Sequence, residues 1–300
     1  MPYIRADAWP SSFNGLIAAA ATPMRVDRSV DLARVPAYAD FLLEHGADGL
    51  MVAGTTGEFV ALDLDERSLL VARFVESVAG RVPVIAHIGH IRLEAAQRLA
   101  ERAARDGADA LAAIVPYFHH VSQSAVVEHL LTLARTCPEL PFFIYNYPDA
   151  TGNRLSLESF ETLLELPNIH GIKASVGSWD ELEPFIGCGS EVLVVCGNDS
   201  LMDRFVRAGG RAIVSGNAAA LPDMVRAAFT EFSRGDPDGR GTALVASIVS
   251  LTLAGSSDRL KGLLELRGAS VGPARVQTHT PADLIGEDSA QLLKGLSLLG

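Results

Sequence analysis

Lysine is nearly absent from this chain. Of 25 basic residues only Lys173, Lys261 and Lys294 are lysines, leaving 22 arginines to solvate the surface. A lysine standing where an arginine would not serve therefore deserves scrutiny. Cysteine is also scarce: Cys137, Cys188 and Cys196 are odd in number and lack C-x-x-C spacing. They read as reduced thiols rather than a disulfide frame, which points to a reducing, cytoplasmic setting. Long apolar runs are missing too. Residues 15–21 fall far short of the roughly 20 residues of a spanning helix, and the first 15 residues have no hydrophobic core for a signal peptide. With 36 acidic residues the formal charge is −11, and no Lys/Arg cluster interrupts that balance, which argues against a nucleic-acid or anionic-membrane surface. Finally, no G-x-G-x-x-G follows the first apolar run, so the dinucleotide fingerprint is lacking.

What is present is alternation. At 48% apolar over 300 residues the chain can bury a large core. Short apolar runs of strand length occur at residues 15–20, 49–52, 84–87, 110–115, 142–145, 169–173, 191–196 and 212–215. Between them lie segments of helical period, such as 31–45, 65–80, 93–106 and 124–137. Eight strands separated by helices predict an α/β fold, a (β/α)₈ TIM barrel, over residues 1–220. Beyond residue 221 the pattern turns helical, at 223–234, 243–253, 259–266 and 281–299. A C-terminal helical region, residues 221–300, is expected to pack on the barrel.

Active groups of such a barrel sit at the C-terminal ends of its strands, and those positions are rich in chemistry here. Strand six ends in Lys173, in an apolar setting where desolvation disfavours the ammonium and leaves a nucleophilic amine. A lysine reaching out to the barrel rim would look the same in sequence. Tyr145 ends strand five, so its phenol is expected beside Lys173 across one strand spacing of about 4.8 Å, suited to proton transfer. A rim tyrosine bonded to a backbone carbonyl is the plainer alternative. After strand two, Gly54-Thr55-Thr56-Gly57-Glu58 offers hydroxyls and backbone N–H groups that could clamp a carboxylate, or simply a tight turn with a threonine cap. His87 and His90, with His119 and His120 after strand four, raise a metal-dependent aldolase as a rival, but no carboxylate ligand accompanies them at neighbouring strand ends.

Taken together, Gly54-Thr55-Thr56-Gly57-Glu58, Tyr145-Asn146-Tyr147-Pro148 followed by Thr151-Gly152, and Gly171-Ile172-Lys173 resemble the dihydrodipicolinate synthase and N-acetylneuraminate lyase family. The resemblance runs from about Asn14 to the C-terminus, with three motifs in order at three strand ends. It implies an imine-forming Lys173, an acid/base Tyr145, and Thr55 and Thr56 on the carboxylate of pyruvate, Thr55 also serving a proton relay. It implies no cofactor and no metal, a small 2-oxo acid as partner, and a homo-oligomer, usually a tetramer.

Two departures bear on the reaction. The arginine with which the synthases bind their aldehyde's carboxylate is replaced by Ala150, and the second tyrosine of the relay is replaced by Phe118. The stretches 85–89 and 141–143 look closer to the lyase branch. Gly197-Asn198-Asp199, with Ser215 at the end of strand eight and Gly54 under the threonine loop, are the expected remaining substrate contacts, although Asp199 could equally cap the next helix. The expectation is a Schiff-base lyase or aldolase acting on pyruvate or a sugar-derived 4-hydroxy-2-oxo acid. A dehydratase using the same imine, dihydrodipicolinate synthesis and a non-catalytic 2-oxo acid binder are the alternatives.

Overall fold

A computed structural model describes residues 13–189, 191–253 and 255–277. Eight parallel strands close into a barrel in sequence order: β1 Gly15–Ala19, β2 Gly49–Val52, β3 Val84–His87, β4 Ala110–Ile114, β5 Phe142–Asn146, β6 Ile169–Ala174, β7 Leu193–Cys196 and β8 Ala212–Ser215. The last strand pairs with the first, Gly15 opposite Ala212, so the sheet has no free edge. The (β/α)₈ expectation is met strand for strand, with shifts of one or two residues at the ends. Strand β7 begins at Leu193 rather than Glu191, because its pairing with β6 starts at Gly171 opposite Leu193.

Alternation decides what faces where. Ile17, Met51, Ile85, Ala112, Phe143 and Val195 fill the barrel interior. Their neighbours Leu16, Leu50, Ala86, Leu111, Phe142 and Val194 lie between sheet and helices. Lys173 pairs with Tyr145 and with Val195, both interior positions, so it is directed into the barrel with them.

The helices of the described residues are α1 Val35–Glu44, α2 Leu64–Val78, α3 Leu93–Arg105, α4 Gln123–Ala134, α5 Pro148–Thr151, α6 Leu157–Leu163, α7 Trp179–Ile186, α8 Met202–Arg207, α9 Pro222–Ser233, α10 Arg240–Thr252 and α11 Ser257–Leu266. The helix expected from residue 31 starts later, because Asp31 accepts from the Ala33 N–H and holds Leu32–Arg34 in a tighter 3₁₀ turn ahead of α1. Helix α2 carries a full capping box, Asp63 and Glu66 each accepting the other's backbone N–H. After β8 the chain is helical: α9 packs on α8 and β1, α10 on α9, and α11 on α10. Arg267, just past α11, pairs with both carboxylate oxygens of Asp223 at 2.7 and 2.9 Å and lies over the Phe41 ring, tying this region to α9 and α1. The helix expected at 281–299 lies outside the described residues. Among the described residues no helix is long and apolar enough to cross a membrane.

At the base of the barrel two aspartates close the strand starts. Asp48 accepts from the Leu16 N–H at 2.8 Å and pairs with Arg226 of α9, and Asp109 accepts from the Val84 N–H at 2.8 Å. Strands β6 and β7 approach so closely at Gly171 that a Cβ there would lie 2.0 Å from the Leu193 carbonyl oxygen. Gly171→Ala is therefore expected to spread these strands and to cost about 1–3 kcal/mol. An unchanged midpoint in denaturant unfolding would contradict this close approach.

Candidate active site

The interior stays apolar until the C-terminal ends of the strands, where it opens into a cleft of about 320 Å³ containing Lys173 and Tyr145. That volume falls within the roughly 300–1,000 Å³ of small-molecule sites. Lys173 is 7% exposed and Tyr145 2% exposed. They stand opposite each other in the β5–β6 register, with the lysine Nζ 3.9 Å from the centre of the phenol ring and 3.7 Å from the Met51 sulfur. Burial in this setting lowers the Lys173 pKa to about 7, while the Asp199 carboxylate acts against the shift. Near neutral pH, then, a substantial part of the lysine is free amine. Burial raises the Tyr145 pKa, so the phenol is protonated and able to donate.

The tyrosine hydroxyl lies 3.3 Å from the Thr55 Oγ1. The Ser175 hydroxyl is its second hydroxyl neighbour. Thr55 and Thr56 both line the cleft, on the loop between β2 and α2. Gly54 lies beneath them and does not line the cleft; its carbonyl accepts from the Phe59 N–H at 3.2 Å and helps to fold the loop.

On the opposite wall, Gly197 and Asp199 line the cleft beside Asn198 and Ser200. The helix-capping role open to Asp199 belongs instead to Asn198, whose side chain accepts from the Ser200 N–H at 3.0 Å. Asp199 turns inward: its Oδ2 accepts from Ser215 and Asn217, each at 2.7 Å, while Oδ1 has no partner among the described residues. Burial raises the Asp199 pKa, and the two hydrogen bonds and the nearby Lys173 work against that rise. Ser215 is itself buried and outside the cleft lining, so it reaches the site through Asp199. A Cβ at 197 would lie 2.1 Å from the Ser175 Oγ, so any larger residue there would displace the Ser175 hydroxyl.

Sequence reading missed Ser175, Asn217, Tyr147 and Asp149, all in the lining, and also Val249, Gly255 and Ser257 from the C-terminal helical part. Ser175 was within reach, since it stands two residues after Lys173 and shares its direction. No local signal marks the C-terminal group.

The histidines do not converge. His87 is buried, with Nδ1 3.0 Å from the Ala53 carbonyl, and burial and Arg67 hold its pKa well below the ordinary value. His90 accepts from the Arg92 N–H at 2.9 Å, and His120 lies 3.0 Å from the Gly152 carbonyl. Among the described residues no three His, Cys, Asp or Glu side chains are grouped as metal ligands. Phe118 is 81% exposed, has φ 77 and is absent from the cleft lining.

The family model of the Dihydrodipicolinate synthetase family matches residues 12–274. A 4-hydroxy-tetrahydrodipicolinate synthase from Cyanothece sp. is 30% identical over 96% of this chain and 100% of its own length. YagE, a prophage protein of the dihydrodipicolinic acid synthase family from E. coli K12 solved with pyruvate, superposes with a TM-score of 0.84 at 26% identity, covering 96% of this chain and 99% of that one. The sialic acid aldolase of Ruminococcus gnavus superposes with a TM-score of 0.85 over 96% of each chain, and its 21% identity speaks for the fold alone.

Because Lys173 is held near pKa 7, its reactivity toward an amine-directed reagent is expected to rise as pH passes upward through about 7, the protonated form below being inert. Asp199→Asn removes the charge that favours the ammonium, so the midpoint should move lower still. Labelling of Lys173 across pH, followed by peptide mapping, checks both; a midpoint near that of a free lysine would show that burial does not govern this group.

Proposed function

Since the chain belongs to the dihydrodipicolinate synthetase family, a family of lyases, we propose that it is a cytoplasmic, homo-oligomeric Schiff-base lyase that cleaves a polyhydroxylated 4-hydroxy-2-oxo acid to pyruvate and an aldehyde. The observation that carries this reading is the buried Lys173 amine packed against the Tyr145 ring, beside a wall of hydrogen-bonding groups that holds no second cation among the described residues.

The chemistry follows from those positions. The free amine of Lys173 adds to the C2 carbonyl of the substrate, and Tyr145 donates a proton to the departing hydroxyl as the carbinolamine loses water. The resulting iminium is the electron sink. Loss of the C4 hydroxyl proton breaks the C3–C4 bond, the electron pair passes to the iminium nitrogen, and the aldehyde leaves. The enamine then takes a proton at C3 and is hydrolysed to pyruvate and free Lys173. Tyr145 and Thr55, 3.3 Å apart, move protons between these steps, and the Thr55–Thr56 loop holds the carboxylate through hydroxyl and N–H groups.

The polar lining of the cleft argues for a neutral, hydroxylated aldehyde. It holds Asp149, Asp199, Asn198, Asn217 and Ser257, and among the described residues it contains no arginine. An aldehyde bearing a carboxylate, as dihydrodipicolinate synthesis requires, would meet Asp149 and Asp199 in the lining, and the position of the synthases' arginine is Ala150. The free Oδ1 of Asp199 is an acceptor suited to a substrate hydroxyl. The free cysteines agree with a reducing compartment, and the exposed Phe118 ring with a self-associating surface.

Incubation with pyruvate and borohydride is expected to leave a reduced pyruvate adduct on Lys173, seen by intact mass and peptide mapping. Lys173→Ala should form none. Tyr145→Phe should still bind but turn over about 10²–10⁴-fold more slowly. Among a panel of 4-hydroxy-2-oxo sugar acids, pyruvate release identifies the lyase, whereas a dehydrated product of unchanged carbon number identifies the dehydratase. No adduct with any 2-oxo acid would sink the imine mechanism.

A further inference from the structure

The loop that presents Thr55 and Thr56 does not hold its shape by local preference. Ala53 enters it at φ 56 and Glu58 leaves it at φ 59, left-handed conformations that residues with a Cβ resist. Within the loop only two short hydrogen bonds close the turn, Glu58 N–H to Thr55 carbonyl at 2.9 Å and Phe59 N–H to Gly54 carbonyl at 3.2 Å. The rest of the restraint comes from elsewhere in the chain. The Thr22 hydroxyl donates to the Gly57 carbonyl at 2.6 Å. The Glu58 carboxylate does more: its Oε1 lies 2.7 Å from the Lys261 Nζ of α11, and its Oε2 accepts the Arg275 and Val276 N–H groups at 2.7 and 2.8 Å.

Both side chains of the Glu58–Lys261 pair are only 2% exposed. Lys261 also donates to the Pro273 carbonyl at 2.9 Å, and Arg275 grips both carboxylate oxygens of Glu66 in α2. Removing two charges from water offsets most of their attraction, so such a pair adds little stability beyond what an apolar pair would provide. What it does supply is placement: the ion pair ties Glu58 to α11, while the hydrogen bonds that Oε2 accepts from Arg275 and Val276 and that Lys261 donates to Pro273 give the contact its direction. Three residues after Thr55, that direction is transmitted to the groups facing Lys173.

We propose that Glu58 and Lys261 are positioning residues: their buried pair holds the Thr55–Thr56 loop in the shape that receives the substrate carboxylate, making the C-terminal helices part of the binding machinery. The inference rests on the imine reading above. It gives a role to a second of the chain's three lysines, which then supports the first.

The test compares the full-length wild type with Lys261→Met and with Glu58→Gln/Lys261→Met, the double variant removing both charges together so that no unpaired charge is left buried. Two quantities are read: hydrogen exchange of the Glu58 and Phe59 amides relative to those of the barrel strands, and the pyruvate concentration giving half-maximal borohydride trapping. The expected result in the folded double variant is exchange at the loop amides roughly tenfold or more faster, with strand amides unchanged, and half-trapping shifted roughly tenfold or more to higher pyruvate. Unchanged loop exchange overturns the proposal, and so does faster loop exchange with unchanged half-trapping, which would leave the pair merely structural. A wild type that forms no adduct overturns the imine reading, and the positioning role with it, before any variant is compared.

Discussion

In a closed barrel each strand residue has only two directions open to it, into the barrel or out under the helices. Closure through the β1–β8 pairing leaves no edge at which the alternation can be relaxed. The interior is already filled by Met51, Phe143, Val195 and their neighbours, so a polar residue of inward parity is tolerated only at the top of the stack. Lys173 and Tyr145 occupy that level on adjacent strands. Their juxtaposition is therefore a consequence of register and closure rather than of any local attraction between a lysine and a phenol.

The same constraint sets the electrostatics. An amine at the top of an apolar stack is desolvated, and this is the leading cause of the Lys173 pKa falling to about 7. Asp199 opposes the fall, but its own charge is shared with the Ser215 and Asn217 donors, so its hold on the lysine is partial. The balance leaves an amine that is partly neutral near neutral pH beside a phenol that keeps its proton. Had an arginine stood at 173, its far higher pKa would have kept the group charged in the same environment.

The site is also assembled from segments remote in the chain. The β2–α2 loop supplies threonines, β5 and β6 the Tyr145–Lys173 pair, β7 and β8 the polar wall, and α10 and the start of α11 part of the rim. Barrel strands hold the pair rigidly because their backbone groups are bonded on both sides. The loop enjoys no such ladder and depends instead on side chains that reach it from the first strand's extension and from the C-terminal helices.

Alternating apolar runs and helical periods were enough to read the barrel, and the order of strand ends was enough to place Lys173, Tyr145, Thr55 and Thr56 in one region. Those inferences need only periodicity and the handed, sequential wiring of βα units. The inward turn of Asp199, the capping by Asn198 in its place, the reach of Ser215 through Asp199 and the Glu58–Lys261 pair needed the tertiary structure. Each depends on a side-chain direction or on a contact across as many as 203 residues (58 to 261), and a contact of that kind leaves no period in the sequence. Sequence by itself determined which residues share a face; only the folded chain decided which of those faces meet, because that is settled by packing among all the elements at once.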